Sequence, residues 1–299
     1  MLCGKPITLA TGQRVGCGQC LNCDINKRRG WVCRVLLEGM AAEKSNAQVS
    51  WVTLTYSDEN IPRAARGAGH FDNTLRPKDI QLLHKKLRRK EYLGSFRFFL
   101  VGEYGDKTLR PHYHALYFGP DVNQVVWSLE QTWEKQFGHT RTRPWRQGER
   151  GDEDVASIRA SYVANYVTKK RNQVDSKNLT PNQIPEFTQM SRAPGIGVSR
   201  HLLDLATTYG GATHISETGD VPRSVRIGKR TWPLDKTLLF HLREQLGVPH
   251  LQADRAAINP AAWQRDGVAP TAEDYYHARQ SMKILEHKHR RSRGQTETL

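Results

Sequence analysis

The sequence predicts an α+β fold: a central antiparallel sheet with helices on one side, a cysteine-rich metal knuckle before it and a mainly helical or irregular region after it. Three observations predict it. Short β-branched and aromatic runs at 49–56, 96–103 and 112–119 have the length and composition of buried strands. They alternate with helical stretches in the order strand, helix, strand pair, helix, strand, helix, and the pair is joined by only a short loop, which favours antiparallel pairing with helices stacked on the sheet. Four of the five cysteines lie within the first 23 residues, which sets the N-terminal segment apart.

Taken in order, residues 1–45 form the cysteine-rich segment and a helix. The strand Val49–Tyr56 is stopped by Ser57, Asp58, Glu59, Asn60 and Pro62. Residues 63–74, rich in Gly, Arg and Ala, are expected to be a mobile loop. Pro77 to Lys90 reads as a helix with proline in its first turn and an apolar stripe of Ile80, Leu83 and Leu87. Lys85, Lys86, Arg88, Arg89 and Lys90 lie mostly off that stripe, as a solvated face or as a DNA contact. Strands 96–103 and 112–119 face each other across the loop 104–110. A helix at about 123–137, strands near 139–144 and 154–159, and a helix from about Ser161 complete the domain, whose bounds are set at 46–175. Gln173 to Gly197, with Pro181, Pro185 and Pro194, reads as a linker or irregular cover. Within the C-terminal region, 176–299, residues 234–246 and 272–287 have helical spacing and 283–293 form a basic tail.

Composition bounds the partners. With 25% charged residues and no apolar run of about 18 residues, the chain is not expected to enter a membrane. No basic-then-apolar leader opens it, so a cytoplasmic location is expected. Forty-five Lys and Arg against 30 Asp and Glu leave a formal charge of +15, which favours a polyanionic partner. The basic residues do not gather into one amphipathic helix with an aromatic apolar face, so nucleic acid is preferred over anionic lipid.

The chemistry is carried by residues in three places. His112 and His114 are two apart on a strand and point to one face, with Tyr113 on the other. Glu103 ends the preceding strand and comes alongside if the two strands pair; otherwise it is an edge carboxylate. Two imidazoles and a carboxylate suit Mn²⁺ or Mg²⁺, and imidazole also holds Zn²⁺ or Co²⁺. On a helix, Tyr162, Tyr166 and Lys169 share one stripe, and Val163 and Val167 supply a second, apolar one. A metal site and a phenol, with a lysine to hold phosphate or lower the phenol's pKa, are the parts needed to cut a DNA phosphodiester through a covalent tyrosine link. Core packing is the competing use of such a tyrosine pair.

Cys17, Cys20 and Cys23 form a C-x₂-C-x₂-C run with Cys3 upstream and Cys33 downstream. In a cytosolic protein this spacing argues metal rather than disulfide. Cys3, Cys17, Cys20 and Cys23 would close a structural Zn²⁺ site; an iron–sulfur cluster and free thiols are the other readings. Cys33, beside Val32, Leu36 and Leu37, reads as core, or as a substitute for Cys3. Lys27, Arg28 and Arg29 on such a knuckle would offer a second DNA contact. Arginines around Trp145 suit single-stranded DNA or a hairpin tip.

Thr53-Leu54-Thr55-Tyr56, Arg110-Pro111-His112-Tyr113-His114 and Tyr162-x-x-x-Tyr166-x-x-Lys169 stand in the order of the three motifs of HUH-superfamily rolling-circle replication initiators. Over roughly residues 3–200 the chain resembles most the initiators of gokushovirus-type microviruses, small single-stranded DNA phages. The cysteine run with Trp31 and Arg34, and Pro194-Gly195-Ile196-Gly197, are similar to that group as well. The resemblance implies an HUH endonuclease-like domain with His112 and His114 as metal ligands and Glu103 as the third. It implies Tyr162 and Tyr166 as alternating nucleophiles that nick origin DNA and later rejoin the released strand. It implies action in the bacterial host's cytoplasm on single-stranded and origin DNA, with a host polymerase and, since no P-loop is present, a host helicase. The alternatives are a non-catalytic zinc-tethered DNA-binding regulator and a single-strand transposase of the same superfamily.

Overall fold

A computed structural model describes residues 2–10, 14–105, 108–144, 179–208, 210–228, 230–248 and scattered positions between 271 and 284. The chain divides into two compact units, residues 31–205 and residues 1–30 with 206–299.

The 31–205 unit is built on a five-stranded sheet. Its strands are β3 (Gln48–Tyr56), β6 (Arg97–Tyr104), β7 (Pro111–Gly119), β8 (Gly138–Pro144) and β9 (Phe187–Met190), counted after β1 (Ile7–Thr8), β2 (Arg14–Val15), β4 (Arg63–Gly67) and β5 (His70–Asn73). The spatial order is β8-β3-β7-β6-β9, and every neighbouring pair is antiparallel. β6 and β7 are inside the sheet and buried along nearly their whole length, which explains why they read as continuous apolar runs rather than alternating ones. The expected α+β sheet with helices packed against it is present.

One face of the sheet is sealed. Val52, Leu54 and Tyr56 of β3, Tyr113, Ala115 and Tyr117 of β7, and Phe98, Leu100 and Tyr104 of β6 meet Ile80, Leu83 and Leu87 of α2 (Pro77–Arg88) and Val125, Leu129 and Trp133 of α3 (Val122–Glu134). Polar groups inside this core are paired: the Tyr56 hydroxyl donates to Asp79 at 2.9 Å, Tyr113 accepts from the Arg76 backbone N–H at 2.9 Å, and His84 meets the Tyr117 hydroxyl at 2.8 Å. Gly102 is required by this packing, since a Cβ there would come within 2.9 Å of the Phe187 ring and 3.1 Å of Tyr113.

On the other face the C-terminal part of the long helix α1 (Leu21–Lys44) covers one end of the sheet. Trp31 lies 5.4 Å from the Phe99 ring, and the Arg34 guanidinium stacks 4.7 Å over Trp31 while donating to the Ile196 carbonyl at 2.8 Å. Glu38 pairs with Arg97 and accepts from the Gly197 N–H at 2.8 Å. Gly197 has φ +82° and its Cα passes directly against the Arg34 backbone, so the Pro194–Gly197 loop can seat only a glycine there.

Two expectations need correction. Residues 63–74 are not a loop: β4 and β5 pair as a hairpin with a bulge. Part of the stretch read as linker is a strand, since β9 hydrogen-bonds to the edge of β6 with Gly102 opposite Phe187. The strand expected at 154–159 and the helix from Ser161 lie outside the described residues.

In the other unit, β1 and β2 form a small hairpin between Cys3 and Cys17. Further along, after α4 (Arg200–Thr207), are α5 (Gly211–Thr218), the hairpin β10 (Ser224–Ile227) and β11 (Arg230–Pro233), and α6 (Lys236–Leu246). Asp235 caps α6 by accepting from Leu238 N–H. Asp220 takes both Arg243 Nε at 2.8 Å and Nη2 at 2.9 Å, a buried bidentate pair. No helix among the described residues is long and apolar enough to cross a membrane.

Candidate functional site

Pairing of β6 with β7 sets Glu103 directly opposite His112 and Val101 opposite His114. All three polar side chains then leave the sheet on the face away from α2 and α3. Glu103 Oε1 is 2.7 Å from His112 Nε2 and 3.2 Å from His114 Nε2. Glu103 and His114 are buried and His112 is partly so. Burial works to raise the Glu103 carboxyl, but hydrogen bonds from both imidazoles outweigh it, so the group sits below the usual carboxylate range.

The far nitrogens of both rings are held. His112 Nδ1 lies 3.0 Å from the Arg110 carbonyl, an acceptor only, so Nδ1 carries the proton and Nε2 is left with a lone pair. His114 Nδ1 lies 3.0 Å from Thr53 Oγ1, which also accepts from the Trp51 indole N–H at 3.2 Å. Thr53 is opposite His114 in the β3–β7 register, and Trp51 is two residues back on the same face. Arg110 fixes the entry to β7 by donating to the Tyr56 carbonyl and to Asp58, each at 2.6 Å.

The donor set fits a divalent cation. Cis positions of an octahedron with bonds of ~2.1 Å are about 3 Å apart, and the two nitrogen–oxygen separations bracket that value. Oxygen and imidazole donors with positions left over match Mg²⁺, Mn²⁺ and related ions. The face continues onto β8, where His139 is opposite Thr55 and Arg141 opposite Thr53. One row across the sheet is therefore His139, Thr55, His112, Glu103, and the next is Arg141, Thr53, His114, Val101. Both His139 and Arg141 are exposed, beside a buried ligand group. Sequence reading placed these two residues on a strand and missed their register; only the long-range β3–β8 pairing reveals it.

The second group is Cys3, Cys17, Cys20 and Cys23, whose sulfurs all lie within 4.8 Å of one another, with no disulfide. Cys3 Sγ is 3.5 Å from Cys17 Sγ and 3.7 Å from Cys20 Sγ. Tetrahedral Zn–S bonds of ~2.3 Å place sulfurs about 3.8 Å apart, so this set also fits its metal. Backbone N–H groups of Lys5 and Cys17 point at Cys3 Sγ, and those of Gln19 and Cys20 at Cys17 Sγ. The contact with Cys23 pulls the Cys20 thiol down to about 4, and the same contact, with burial, pushes Cys23 far up. Cys33 is not in the group and is fully buried on α1. Tyr162, Tyr166, Lys169 and Trp145 lie outside the described residues.

The strands that carry this His-x-His pair and its carboxylate fall within the part of the chain that is similar to known proteins. Residues 49–171 match the family model for the replication-associated protein ORF2 group. Replication-associated protein ORF2 of Spiroplasma virus 4 is 33% identical over 189 residues, covering 61% of this chain and 56% of the relative. Replication-associated protein VP4 of Bdellovibrio phage phiMH2K is 32% identical over 52% of this chain and 48% of its own. Replication-associated protein ORF4 of Chlamydia phage 1 is 27% identical over 52% and 38%. The resemblance to phage replication proteins that the motifs carry is thus found over the domain as a whole. The chain spans about half the length, or less, of these curated relatives. Among solved structures, the nuclease domain of minute virus of mice non-structural protein-1 aligns with 60% of this chain and 83% of its own at 12% identity, with a TM-score of 0.16, too loose a superposition to argue from.

Proposed function

We propose that this chain initiates rolling-circle replication of a small single-stranded DNA phage by nicking origin DNA through a 5′-phosphotyrosine intermediate and later rejoining the strand. The observation that carries this reading is the Glu103 carboxylate seated between the Nε2 atoms of His112 and His114, within the segment that matches phage replication-associated proteins. His112, His114 and Glu103 would hold Mn²⁺ or Mg²⁺, which when bound polarises the scissile phosphate and neutralises charge developing on it. The phenol of Tyr162 or Tyr166 attacks phosphorus, the O–P bond to the 3′ oxygen breaks, and a tyrosine–phosphate ester forms on the 5′ side. The freed 3′-OH primes a host polymerase, and a host helicase opens the duplex. The second tyrosine then attacks the regenerated junction. Lys169 steadies the attacked phosphate or the phenolate, and exposed Arg141 and His139 hold the flanking backbone on the same sheet face. Cys3, Cys17, Cys20 and Cys23 take a structural Zn²⁺. The protein acts in the bacterial host's cytoplasm.

The test is a covalent adduct assay with Mn²⁺ and circular single-stranded DNA carrying the origin. Wild type should give a DNA-linked band that EDTA, His112→Ala and the double variant Tyr162→Phe/Tyr166→Phe each abolish. An adduct that survives the double variant would remove the tyrosines from the reaction. No adduct with any divalent metal would leave a zinc-tethered DNA-binding protein as the better reading.

A further inference from the structure

The helical layer on the sealed side of the sheet carries charge that the proposed cleavage reaction does not use. Along α2, Ile80, Leu83, His84 and Leu87 turn inward, and Lys78, Leu82, Lys85 and Arg89 follow one another at spacings of four, three and four on the exposed side. Lys86, Arg88 and Lys90 flank this stripe, so that residues 85–90 hold five cations. The stripe runs about 16 Å at 1.5 Å per residue, and duplex DNA presents a phosphate per strand about every 3.4 Å of its axis.

Little in the described residues neutralises the row. Glu91 is the one carboxylate in the run 85–92. On α3, Glu130 and Glu134 accept hydrogen bonds from Thr142 and Thr140 of β8. Lys86 donates to Gln136 and Lys90 to Ser128, both neutral partners. Arg88 is steadied by stacking 5.4 Å over the Phe96 ring, which leaves its guanidinium ordered at the surface. A solvated helix face serving only solubility usually mixes both signs; this one has a single sign and a straight, convex course with no groove to receive splayed bases.

We infer that the exposed face of α2, centred on Lys78, Lys85 and Arg89, is a second DNA-binding surface that grips the backbone of double-stranded DNA. It lies on the opposite side of the sheet from Glu103, His112 and His114, so the strand being cut and the duplex being held occupy different faces. This deepens the replication-initiator reading and rests on it for its biological setting, but the binding itself needs neither the metal nor the tyrosines. Contacts of this kind go to phosphates and carry no sequence information.

The decisive experiment measures binding of the full chain to a random-sequence duplex in EDTA as a function of salt. The triple variant Lys78→Gln/Lys85→Gln/Arg89→Gln should reduce the slope of log K against log salt by about 0.9 for each contact removed. It should leave tyrosine-adduct formation on a short single-stranded origin oligonucleotide unchanged. An unaltered slope overturns the inference. So does a variant that loses single-strand affinity while keeping duplex affinity, since exposed Tyr92 and Trp127 near the end of the stripe would then mark a stacking surface instead. Failure of the adduct assay in the wild type would count against the nickase reading alone.

Discussion

Around the four cysteines there is almost no core: Cys3 and Cys20 are buried against Cys17, Leu21 and Cys23 and little else. Glu103, His112 and His114, by contrast, stand on two inner strands of a five-stranded sheet whose far face holds most of the unit's buried side chains. The cysteine loop brings its sulfurs together with a short hairpin and a handful of backbone N–H contacts. The sheet brings its ligands together by register, and would do so with or without an ion. Hence one site should depend on its metal for structure, while the other should depend on it for chemistry alone.

Removing the metal should separate the two most sharply. Structural Zn²⁺ in small knuckles binds with apparent free energies of roughly 10–16 kcal/mol, nearly all of it folding energy. Cys20→Ser, or a strong chelator, should therefore unfold the loop around residues 3–23. Hydrogen exchange of those amides should rise to the unprotected rate while amides of β6 and β7 keep theirs. Equal protection of the loop with and without chelator would mean that the thiols hold no structural ion.

A smaller effect probes how the sheet site is tuned. Thr53 holds His114 by its Nδ1, and outer partners of metal-bound histidines typically contribute 10–100-fold in metal affinity. Thr53→Val keeps the shape and removes the hydroxyl, so Mn²⁺ affinity should fall by about that factor, and Thr53→Ser should restore it. Titration calorimetry on the three proteins would show this. Identical affinities in wild type and Thr53→Val would mean that strand register alone positions the ring.

The smallest effect concerns acid. His84 is buried under the sheet, and desolvation, helped by Arg88, pushes its pKa down to about 3. The folded state thus keeps this ring neutral while the unfolded chain protonates it near the ordinary 6.5. Its contribution is complete above about pH 6.5 and drains away as pH falls toward 3, at about 1.4 kcal/mol per pH unit. His84→Gln should flatten the fall in stability of the sheet unit over that range. Parallel pH profiles in chemical denaturation would rule this assignment out.

Much of the site was legible in the sequence because it follows local rules. Period two put His112 and His114 on one face, and a short loop between two apolar runs placed Glu103 beside them. Thr53 was recognisable only as part of a motif, although the same period puts Trp51 and Thr53 on one face; its partner His114 is 61 residues away, a distance that no local pattern spans. His139 and Arg141 were hidden for the same reason. The hairpin at 63–73 was missed because Arg63-Ala-Ala-Arg-Gly67 has no alternation of apolar and polar residues and buries only Ala64. β9 was missed because it is four residues long, flanked by polar and proline-rich sequence, and becomes a strand only because β6 offers an open edge.

That last strand bears on how the domain can be isolated. β9 pairs with β6 from Phe99 to Gly102 and occupies the hydrogen-bonding edge of the sheet, yet it lies beyond the 49–171 segment defined by family similarity. A fragment trimmed at residue 171 would bare the backbone of a largely apolar strand, the kind of edge that recruits a neighbouring molecule into continuous sheet. Such a fragment would assemble through its raw edge and cover the ground beside Glu103, so precipitation or silence in a cleavage assay would report the missing selvedge rather than the chemistry of the site.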